Sequence, residues 1–567
     1  MRTVPVLIVG GGPIGLALAA DLGRRGIEAM LVEKRQDVLG SAKMILVSVR
    51  TMEFCRQLGI SEEIRNWGFP HDHNLDSVFV TNLQSYELGR VHTPAIAELP
   101  SEPASPERDF PCPQTWFDPI VQRYARRFPH VELRYEIELE SFEQDTDGVI
   151  ARLLDADGRH ELVHADYLVG CDGYSSTVRA LLGIDVRGER FLDLSMSVYV
   201  RIPHLLESHD KGDAYRYVFV GPDGTWGVLT TIDGFDLYRL QLIGSSDKDV
   251  RSIDVPAALR RAIGDDIGFT IEDVSFWSRK MVVADRFKDG RVFIAGDAAH
   301  AHPPNGGLGM NTGIADAFDL GWKFAAVLEG WGGPTLLESY DYERRPASAR
   351  AAEESLRNYR RLTNATNFRE IDQPTSAGAL VREELGLRLV AQNEKAWHPL
   401  GVHLGYIYDP SPIVARDGSP RPADDPVTYE PSAYPGARAP HFWLAPGRST
   451  LDLFGDGFTL LVFDDRSPAA FRREASRQGV PLTVHHIDDA DARAGYAAPL
   501  VLVRPDGHVA WRGDGDGDGD EADIDEIFRT IRGAGPPIAA RRTNVDARVH
   551  RRNAESEERH ASFARPT

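Results

Sequence analysis

A glycine-rich turn close to the amino terminus constrains the fold of this chain more than any other feature. The apolar run Val4–Val9 leads into residues 10–15, whose sequence GGGPIG contains the pattern GxGxxG. A helical pattern follows, and a second apolar run ends at Glu33. This order of strand, turn, helix and strand predicts a dinucleotide-binding βαβ unit.

Each residue type in this unit suits a dinucleotide. The first glycine permits the tight turn, the second lets the backbone approach a pyrophosphate, and the third lets helix and strand pack closely. The helix N-terminus adds partial positive charge, and the acidic residue at the end of the second strand accepts hydrogen bonds from a ribose. We therefore expect contacts to the dinucleotide from Gly10, Gly12, Pro13, Ile14, Gly15, Glu33 and Lys34.

Length and charge limit the classes of protein to consider. With 567 residues the chain is long enough for about three domains, at roughly 100–200 residues each, so a large cofactor fits between them. The formal net charge of -21 argues against a nucleic-acid partner, because a phosphate backbone requires a clustered basic face. The charge mainly favours solubility.

Cysteine usage and hydropathy indicate the compartment. Cys55, Cys112 and Cys171 are scattered and odd in number, so the sequence indicates neither a disulfide framework nor a zinc site. The apolar stretch Val4–Leu22 is interrupted by the glycine turn, which is typical of strand, loop and helix and not of a membrane span. We expect a cytoplasmic protein that does not bind a membrane.

Periodicity divides the remainder of the chain. Period-two, β-rich runs separated by turn residues predict a largely antiparallel layer, and a helical period follows from residue 313 to about 393. A stretch rich in Pro, Asp and Gly then precedes a compact β-α-β-β-β-α pattern. We predict a dinucleotide-binding domain with following helices over 1–75, 105–185 and 286–395, a β domain over 76–104 and 186–285, a linker over 396–435, a third domain over 436–535 and a flexible tail over 536–567.

Two later motifs distinguish among dinucleotides. The first is VGCDG at 169–173, followed by Ser175, Ser176 and Arg179, and the second is GRVFIAGDAAH at 290–300, which leads into PPNGGLGMN at 303–311. In the second motif an apolar strand places Asp297 at its carboxyl end, where a carboxylate suits sugar-alcohol hydroxyls. The glycine-rich loop then opens a helix, whose N–H groups and dipole suit negative charge on a reduced flavin.

These motifs resemble those of the group A flavoprotein monooxygenases, the para-hydroxybenzoate hydroxylase and phenol hydroxylase relatives. The resemblance implies an α/β protein with a Rossmann-like FAD-binding domain of the para-hydroxybenzoate hydroxylase fold, an antiparallel β substrate domain and a C-terminal thioredoxin-like domain. That last domain contains no cysteine, which excludes thiol redox chemistry, so we expect it to serve packing or a homodimer.

The resemblance also assigns flavin contacts. It implies that Asp297, after Gly296, holds the ribityl chain, that Pro304 lies beside the ring, and that the backbone near the start of the helix meets the pyrimidine edge. Two further positions match the family less sharply. Lys43 stands where many relatives have Arg, and Gln114 stands where relatives have a glutamine. An ordinary surface or capping role stays open for each. The contacts expected beyond the first unit are Lys43, Gln114, Asp172, Gly173, Gly296, Asp297, Pro304, Gly307, Gly309, Met310 and Asn311.

The reaction implied by the resemblance uses FAD, NAD(P)H and O2. NADPH or NADH reduces FAD, O2 adds at flavin C4a, and the hydroperoxide hydroxylates a phenolic or polycyclic aromatic substrate. Asp172 and Gly173 would also serve NAD(P)H, which has no second GxGxxG of its own in this sequence.

The catalytic residues are not identified by the sequence. The aspartate that some phenol hydroxylases carry before an RTME-like segment is absent, and Ile45 or its neighbours occupy that stretch. Candidates for activating a phenol are Tyr215, Tyr217, Tyr238, Arg239 and His73.

Two alternatives remain beside the hydroxylase. A flavoenzyme of the same fold with Baeyer–Villiger-like or ring-cleaving chemistry is one, and a non-catalytic flavin-binding protein is another. His300-x-His302 offers two ligands of a metal site, but metal sites need more than two, so we expect no metal.

Overall fold

The computed structural model describes residues 1–37, 44–243, 250–363, 368–394, 399–514 and 521–535. Lys43 and the expected tail over 536–567 lie outside these residues. Within the described ranges, no helix combines the length and the apolar character needed to cross a bilayer.

The amino-terminal third of the chain forms most of a parallel sheet and its first helices. Its elements are β1 (Arg2–Val9), α1 (Pro13–Arg24), β2 (Ala29–Glu33), β3 (Leu46–Val47), α2 (Val49–Leu58), α3 (Ser61–Arg65), β4 (Ser77–Val80), β5 (Glu87–Val91), β6 (Phe110–Pro111), α4 (Gln114–Ala125), β7 (Val131–Tyr135), β8 (Ile137–Gln144), β9 (Val149–Asp155), β10 (His160–Gly170) and α5 (Thr177–Leu181).

The middle of the chain supplies a second sheet and then a run of helices. Its elements are β11 (Val186–Arg201), β12 (Arg216–Gly221), β13 (Gly224–Thr231), β14 (Leu237–Leu242), α6 (Val255–Ile263), β15 (Thr270–Ala284), β16 (Lys288–Asp289), β17 (Val292–Ile294), β18 (His300–Ala301), α7 (Leu308–Leu328), α8 (Ser339–Thr363), α9 (Ser376–Glu394) and α10 (Leu400–Leu404).

The carboxyl-terminal part forms a small separate sheet with its own helices. Its elements are β19 (Trp443–Ala445), β20 (Arg448–Ser449), β21 (Phe458–Val462), α11 (Ala469–Gln478), β22 (Leu482–His486), α12 (Ala490–Tyr496), β23 (Leu500–Val503), β24 (Val509–Gly513) and α13 (Glu521–Ile531).

The first sheet has the order β16-β17-β10-β1-β2-β7, and β9 and β8 extend it from β10. Strand β1 pairs in parallel with both β10 and β2, which places it at the centre. Its apolar run is buried on both faces, as expected for a parallel strand covered by helices. The carboxyl ends of β1, β10 and β17 therefore meet at one edge, where the three glycine-containing motifs begin.

The second sheet has the order β18-β15-β11-β14-β13-β12-β4-β5 and is antiparallel except between β12 and β4. One face packs on α6, whose Leu259 and Ile263 are buried with Tyr217, Tyr238 and Leu240. The predicted antiparallel layer is confirmed. The other face is turned toward the parallel sheet.

The third sheet has the order β22-β21-β23-β24, with β21 parallel to β22 and antiparallel to β23. The sequence-based pattern missed α12, which lies between β22 and β23. Asp489 explains this short helix, because its side chain accepts a hydrogen bond from the N–H of Ala492 at the helix start. The succession βαβαββα and this strand order are compatible with the predicted thioredoxin-like unit.

The third unit is joined to the flavin-type domain through a buried group of charges. Arg504, fully buried, donates to Glu343 Oε1 at 2.6 Å, Asp506 Oδ2 at 2.7 Å and Asp319 Oδ1 at 3.1 Å. Lys323 Nζ lies 2.7 Å from both Asp319 and Glu343. Burial raises the pKa of Asp319 to about 7, with repulsion from Glu343 and Asp506 adding to the effect and attraction to Lys323 and Arg504 opposing it.

This cluster predicts that Arg504→Met destabilises the whole protein. The change leaves Glu343, Asp319 and Asp506 buried without their guanidinium partner, which costs about 3–5 kcal/mol for a broken buried ion pair. Urea unfolding measures the shift in midpoint. The matched control is Arg529→Met, since Arg529 is half-exposed with carboxylates only at 4.0 Å. Equal midpoints for wild type and Arg504→Met would contradict the role given to the cluster.

Candidate functional site

A single cavity of about 980 Å³ lies between the parallel sheet and the antiparallel sheet. It extends from the glycine turn after β1, past the turns after β10 and β17, to the inward face of β11–β15. Pockets for drug-sized ligands span roughly 300–1,000 Å³. The volume therefore suits an elongated cofactor together with a second molecule.

The glycine turn after β1 leaves space for a ligand beside Gly12. A Cβ at Gly10, whose φ is +113°, would lie 2.4 Å from Cys171 O, and a Cβ at Gly15 would lie 2.0 Å from Gly10 O. These two glycines are required by close packing of the backbone. A Cβ at Gly12 meets no atom within 4 Å and would project toward the cavity that Gly12 lines. The space beside Gly12, at the N-terminus of α1, is therefore the space available to phosphates.

Glu33 lies at the cavity wall with its carboxylate already oriented. Its Oε2 accepts from Gly11 N at 2.7 Å and its Oε1 from Arg35 Nε at 2.7 Å. Burial alone would raise the pKa of Glu33, but the hydrogen bonds from Arg35 and Gly11 lower it, so the group is ionised. Pro13, Ile14 and Lys34 also line the cavity.

The turn after β10 presents a carboxylate with one unsatisfied oxygen. Asp172 Oδ2 accepts from Val178 N at 3.1 Å, whereas Oδ1 is buried without a hydrogen-bond partner. Burial raises the pKa of Asp172, so a donor at Oδ1 would stabilise its charge. Asp172 and Gly173 both line the cavity.

The turn after β17 carries Asp297 into the cavity. Gly296, with φ of +59°, donates its N–H to Asp316 at 3.0 Å and does not itself line the cavity. Arg179 fixes the preceding motif to this turn by donating to Ala298 O at 2.8 Å. The side chain of Asp297 is exposed toward the cavity, where Lys280 acts on it electrostatically.

The loop after β18 ends at the N-terminus of α7. Gly307, with φ of +67°, caps the helix, and the first N–H groups of a helix have no partner within it. Pro304, Gly307, Gly309 and Met310 line the cavity beside these groups. Asn311 does not, because its side chain accepts from Ser48 N and Thr51 Oγ1 and thereby joins α7 to α2.

Gln114, the first residue of α4, lines the cavity. Its Nε2 donates to Asp118 Oδ2 at 2.9 Å, and its backbone N–H donates to Met44 O. Burial raises the pKa of Asp118 to about 7. Asp118 thus fixes the amide of Gln114 in one orientation.

The two histidines suggested as partial metal ligands have other partners. His300 Nε2 lies 2.7 Å from Asp316 Oδ2, and His302 Nδ1 lies 3.1 Å from Ser355 Oγ. Burial lowers the pKa of His302 to about 3, so this cavity-lining ring is neutral at neutral pH.

The antiparallel sheet forms the far wall, and strand register decides which sequence candidates reach it. Tyr215 and Arg239 line the cavity. Tyr217 and Tyr238 do not, since both are buried with α6 on the other face, and their hydroxyls donate to Gly212 O and Phe235 O. His73 is paired with Asp213 at 3.0 Å, away from the cavity.

Several wall residues were not identified from the sequence. They are Arg216, Thr230, Gln241, Trp277 and Lys280. Each belongs to the predicted antiparallel layer, but only the registers between strands show which face each side chain occupies. Gln241 could have been identified from the sequence, because it lies two residues after the candidate Arg239 on β14 and alternate residues of a strand face the same side of the sheet.

Comparison with protein families matches most of the chain. Residues 3–355 match the family described as FAD binding domain, and residues 432–535 match the one described as Aromatic-ring hydroxylase, C-terminal. The features above fit FAD: open space at Gly12, an unsatisfied oxygen on Asp172, and a helix N-terminus beside the loop after β18.

Individual proteins agree with the family match. The tetracenomycin B2 monooxygenase-dioxygenase of Streptomyces olivaceus is 34% identical over 93% of this chain and 98% of its own. The rebeccamycin biosynthetic enzyme RebC, solved with reduced flavin, superposes with a TM-score of 0.86 at 36% identity, covering 94% of this chain and all of that one.

The flavin-dependent monooxygenase PieE, solved with FAD and substrate, gives a TM-score of 0.85 at 31% identity, over 94% of this chain and 99% of its own. Fold, cavity and both family matches therefore lead to one conclusion. The chain belongs to the group A flavoprotein monooxygenases and is an FAD-dependent oxidoreductase.

Proposed function

We propose that this protein uses NAD(P)H and O2 to hydroxylate a phenolic or polycyclic aromatic substrate held between FAD and the antiparallel sheet. The observation that carries the proposal is the continuity of the cavity, which joins the glycine turn after β1 to the inward face of β11–β15. A cavity confined to the dinucleotide motifs would hold the cofactor alone. Here the wall residues of the sheet are left to hold a substrate.

The cofactor contacts that we propose follow the cavity from end to end. The N-terminus of α1 and Gly12 hold the pyrophosphate, Glu33 the ribose, Gln114 and Asp297 the ribityl region, and the N-terminus of α7 the ring edge where negative charge develops. Bound FAD supplies electron transfer and the activation of O2. Asp172, with its unsatisfied oxygen, is available to donors of FAD or NAD(P)H.

The residues of the chain position the substrate and exclude water. Trp277 donates to Ser197 Oγ at 3.0 Å, which fixes the indole at the wall, and Val228 and Ile243 add apolar surface. Such a surface suits a planar aromatic ring. Ile45 lies in the cavity wall, and Ile45 or its neighbours occupy the stretch where some phenol hydroxylases carry an aspartate. Residues 44–48 contain no carboxylate that could take the phenol proton.

The three cysteines support a reducing cytoplasm as the compartment we propose. Cys55 and Cys112 are buried, Cys171 is half-buried, and none of them forms a disulfide. Burial raises the pKa of each thiol, so they remain protonated and unreactive.

The proposal predicts that aromatic substrates accelerate NADPH or NADH oxidation by the purified yellow protein. A panel of phenols, quinols and polycyclic aromatics is compared, and each product is analysed by mass for the gain of one oxygen atom. If an aromatic compound accelerates NAD(P)H oxidation but yields an ester or a ring-opened product, the enzyme carries out Baeyer–Villiger-like or ring-cleaving oxygenation instead. A flavin-containing protein with no acceleration by any aromatic would contradict the hydroxylase and favour a non-catalytic role.

A second prediction separates binding of FAD from folding. Gly12→Ala leaves the fold intact, because φ at this position is −80° and the added Cβ meets no protein atom within 4 Å. It fills space that we assign to the pyrophosphate, and overpacking by about 1–3 kcal/mol weakens FAD binding about tenfold to a hundredfold. Flavin content and FAD titration measure the loss.

The matched control for that change is Gly268→Ala, at an exposed glycine that also has open space around its Cβ position. It should bind FAD as the wild type does. Both variants should unfold at the wild-type midpoint when measured without FAD. Wild-type flavin affinity in Gly12→Ala would place the pyrophosphate elsewhere.

A further inference from the structure

His403 is a buried histidine on α10 that borders two cavities. It lines the large cavity of about 980 Å³ and also a small neighbouring cavity of about 20 Å³. The residue is 7% exposed, and among the described residues none forms a hydrogen bond with its ring. A polar group that is buried without a partner costs free energy, so the two ring nitrogens are available to ligands in the two cavities.

The small cavity has the size and the lining of a site for one water molecule. A water needs roughly 10–15 Å³ of such space and at least two polar partners. Arg50 and Tyr406 line this cavity, and Arg50 Nε and the Tyr406 hydroxyl are buried without a hydrogen-bond partner in the part of the chain that the structure describes. One water bonded to these two groups and to His403 would satisfy all three and hold the imidazole in one orientation.

His403 lies next to the substrate end of the large cavity. Ile45 packs against the antiparallel sheet, and the Tyr215 hydroxyl donates to Ile45 O at 3.4 Å. Three residues further along the chain, Ser48 lines the small cavity together with His403. The short stretch from 45 to 48 thus connects the substrate wall to this histidine.

The charges around His403 suit a proton acceptor. Burial lowers the pKa of His403, so the ring is neutral at neutral pH. Attraction to Asp109, which lines the large cavity and accepts from Val49 N at 2.5 Å, raises this pKa, and repulsion from Arg350 lowers it. Arg350 is itself paired with Asp424. The neutral ring can therefore take a proton, and Asp109 stabilises the imidazolium that results.

Two further cations border the small cavity. Arg50 of α2 donates to Glu53 at 2.7 Å, and Arg344 of α8 donates to Asp316 at 2.8 Å. Each is compensated by its carboxylate, but both oppose a permanent positive charge on His403. A proton taken by the ring is therefore held only while an anion is beside it.

We infer that His403 is the base that ionises the phenolic substrate, with its ring oriented by a water held between Arg50 and Tyr406. The inference rests on the proposed function and assigns to that site the base that residues 44–48 do not supply. In this step the O–H bond of the phenol breaks, its proton moves to a ring nitrogen of His403, and the electron pair stays on the substrate oxygen. Nothing is oxidised or reduced, and His403 later returns the proton to the oxygen of the product.

Such a base favours acidic phenols. The ordinary pKa of a phenol is about 10 and that of histidine about 6.5, so proton transfer from a simple phenol is unfavourable by roughly three thousandfold. A carbonyl or nitro group conjugated with the hydroxyl lowers the pKa of the phenol and removes much of this difference. Suitable probes are 2-hydroxyanthraquinone and 4-nitrophenol, because their anions absorb at longer wavelengths than the neutral molecules.

Difference absorbance of each probe bound to the FAD-loaded full-length protein measures its ionised fraction against pH. We expect wild type to bind both probes as anions down to a pH about one unit lower than His403→Gln does, a tenfold change in the ratio of ionised to neutral probe. Tyr406→Phe removes one partner of the water and should give an intermediate value. A wild-type value in Tyr406→Phe would contradict the orienting water.

The matched control is His92→Gln. His92 is an exposed histidine that also lies beside a carboxylate, with its Nδ1 3.3 Å from Asp76, and it lines neither cavity. This variant should ionise both probes as the wild type does.

The pH dependence of turnover separates a base from a structural residue. For either probe that the wild type hydroxylates, His403→Gln should lower kcat about a hundredfold at pH 7, and the loss should shrink at about pH 9, where the phenol ionises without a base. A loss independent of pH, an unchanged ionised fraction in His403→Gln, or failure of the wild type to bind either probe as an anion would overturn the inference. The proposed hydroxylase is judged separately, by the oxygen content of the wild-type product.

Discussion

The Asp316 carboxylate, fully buried on α7, holds together the parts that surround the cofactor end of the cavity. It accepts from Gly296 N at 3.0 Å, from Arg344 Nε at 2.8 Å and lies 2.7 Å from His300 Nε2. Burial would raise its pKa, but His300 and Arg344 lower it, so the buried charge persists. The turn that carries Asp297 is thereby fixed relative to the N-terminus of α7, and a flavin needs both at once. An uncompensated charge in this place would be strongly destabilising, which makes the pairing of Asp316 a condition of the fold.

The same helix extends this dependence to the third unit. One turn after Asp316, Asp319 and then Lys323 enter the cluster around Arg504. A second buried pair, Glu53 with Arg438, joins α2 to the segment before β19, and Asn311 joins α2 to α7. The third unit, which contains no cysteine, thus stabilises the flavin domain through ionic contacts. These ionic contacts give the unit a physical role that needs no redox chemistry.

Sequence reasoning succeeded where backbone conformation is encoded locally. Glycines at tight turns, the strand that leads to Asp297 and the loop before α7 follow from residue type and order, and the structure brings them to one cavity. It failed where side-chain direction depends on pairing between distant strands. Tyr217 and Tyr238 were plausible candidates until the registers placed them against α6, and Arg216 was missed for the same reason. The short helix α12 was not predicted, because its local signal is the capping residue Asp489.

A structure of the protein with FAD and an aromatic ligand tests the central claim, that one cavity holds cofactor and substrate against opposite sheets. The account predicts the pyrophosphate beside Gly12, the flavin ring against the N-terminus of α7, and the aromatic ligand between that ring and the wall formed by β12, β13 and β14. An aromatic ligand bound outside this cavity, or a flavin whose ring points away from the antiparallel sheet, would contradict it.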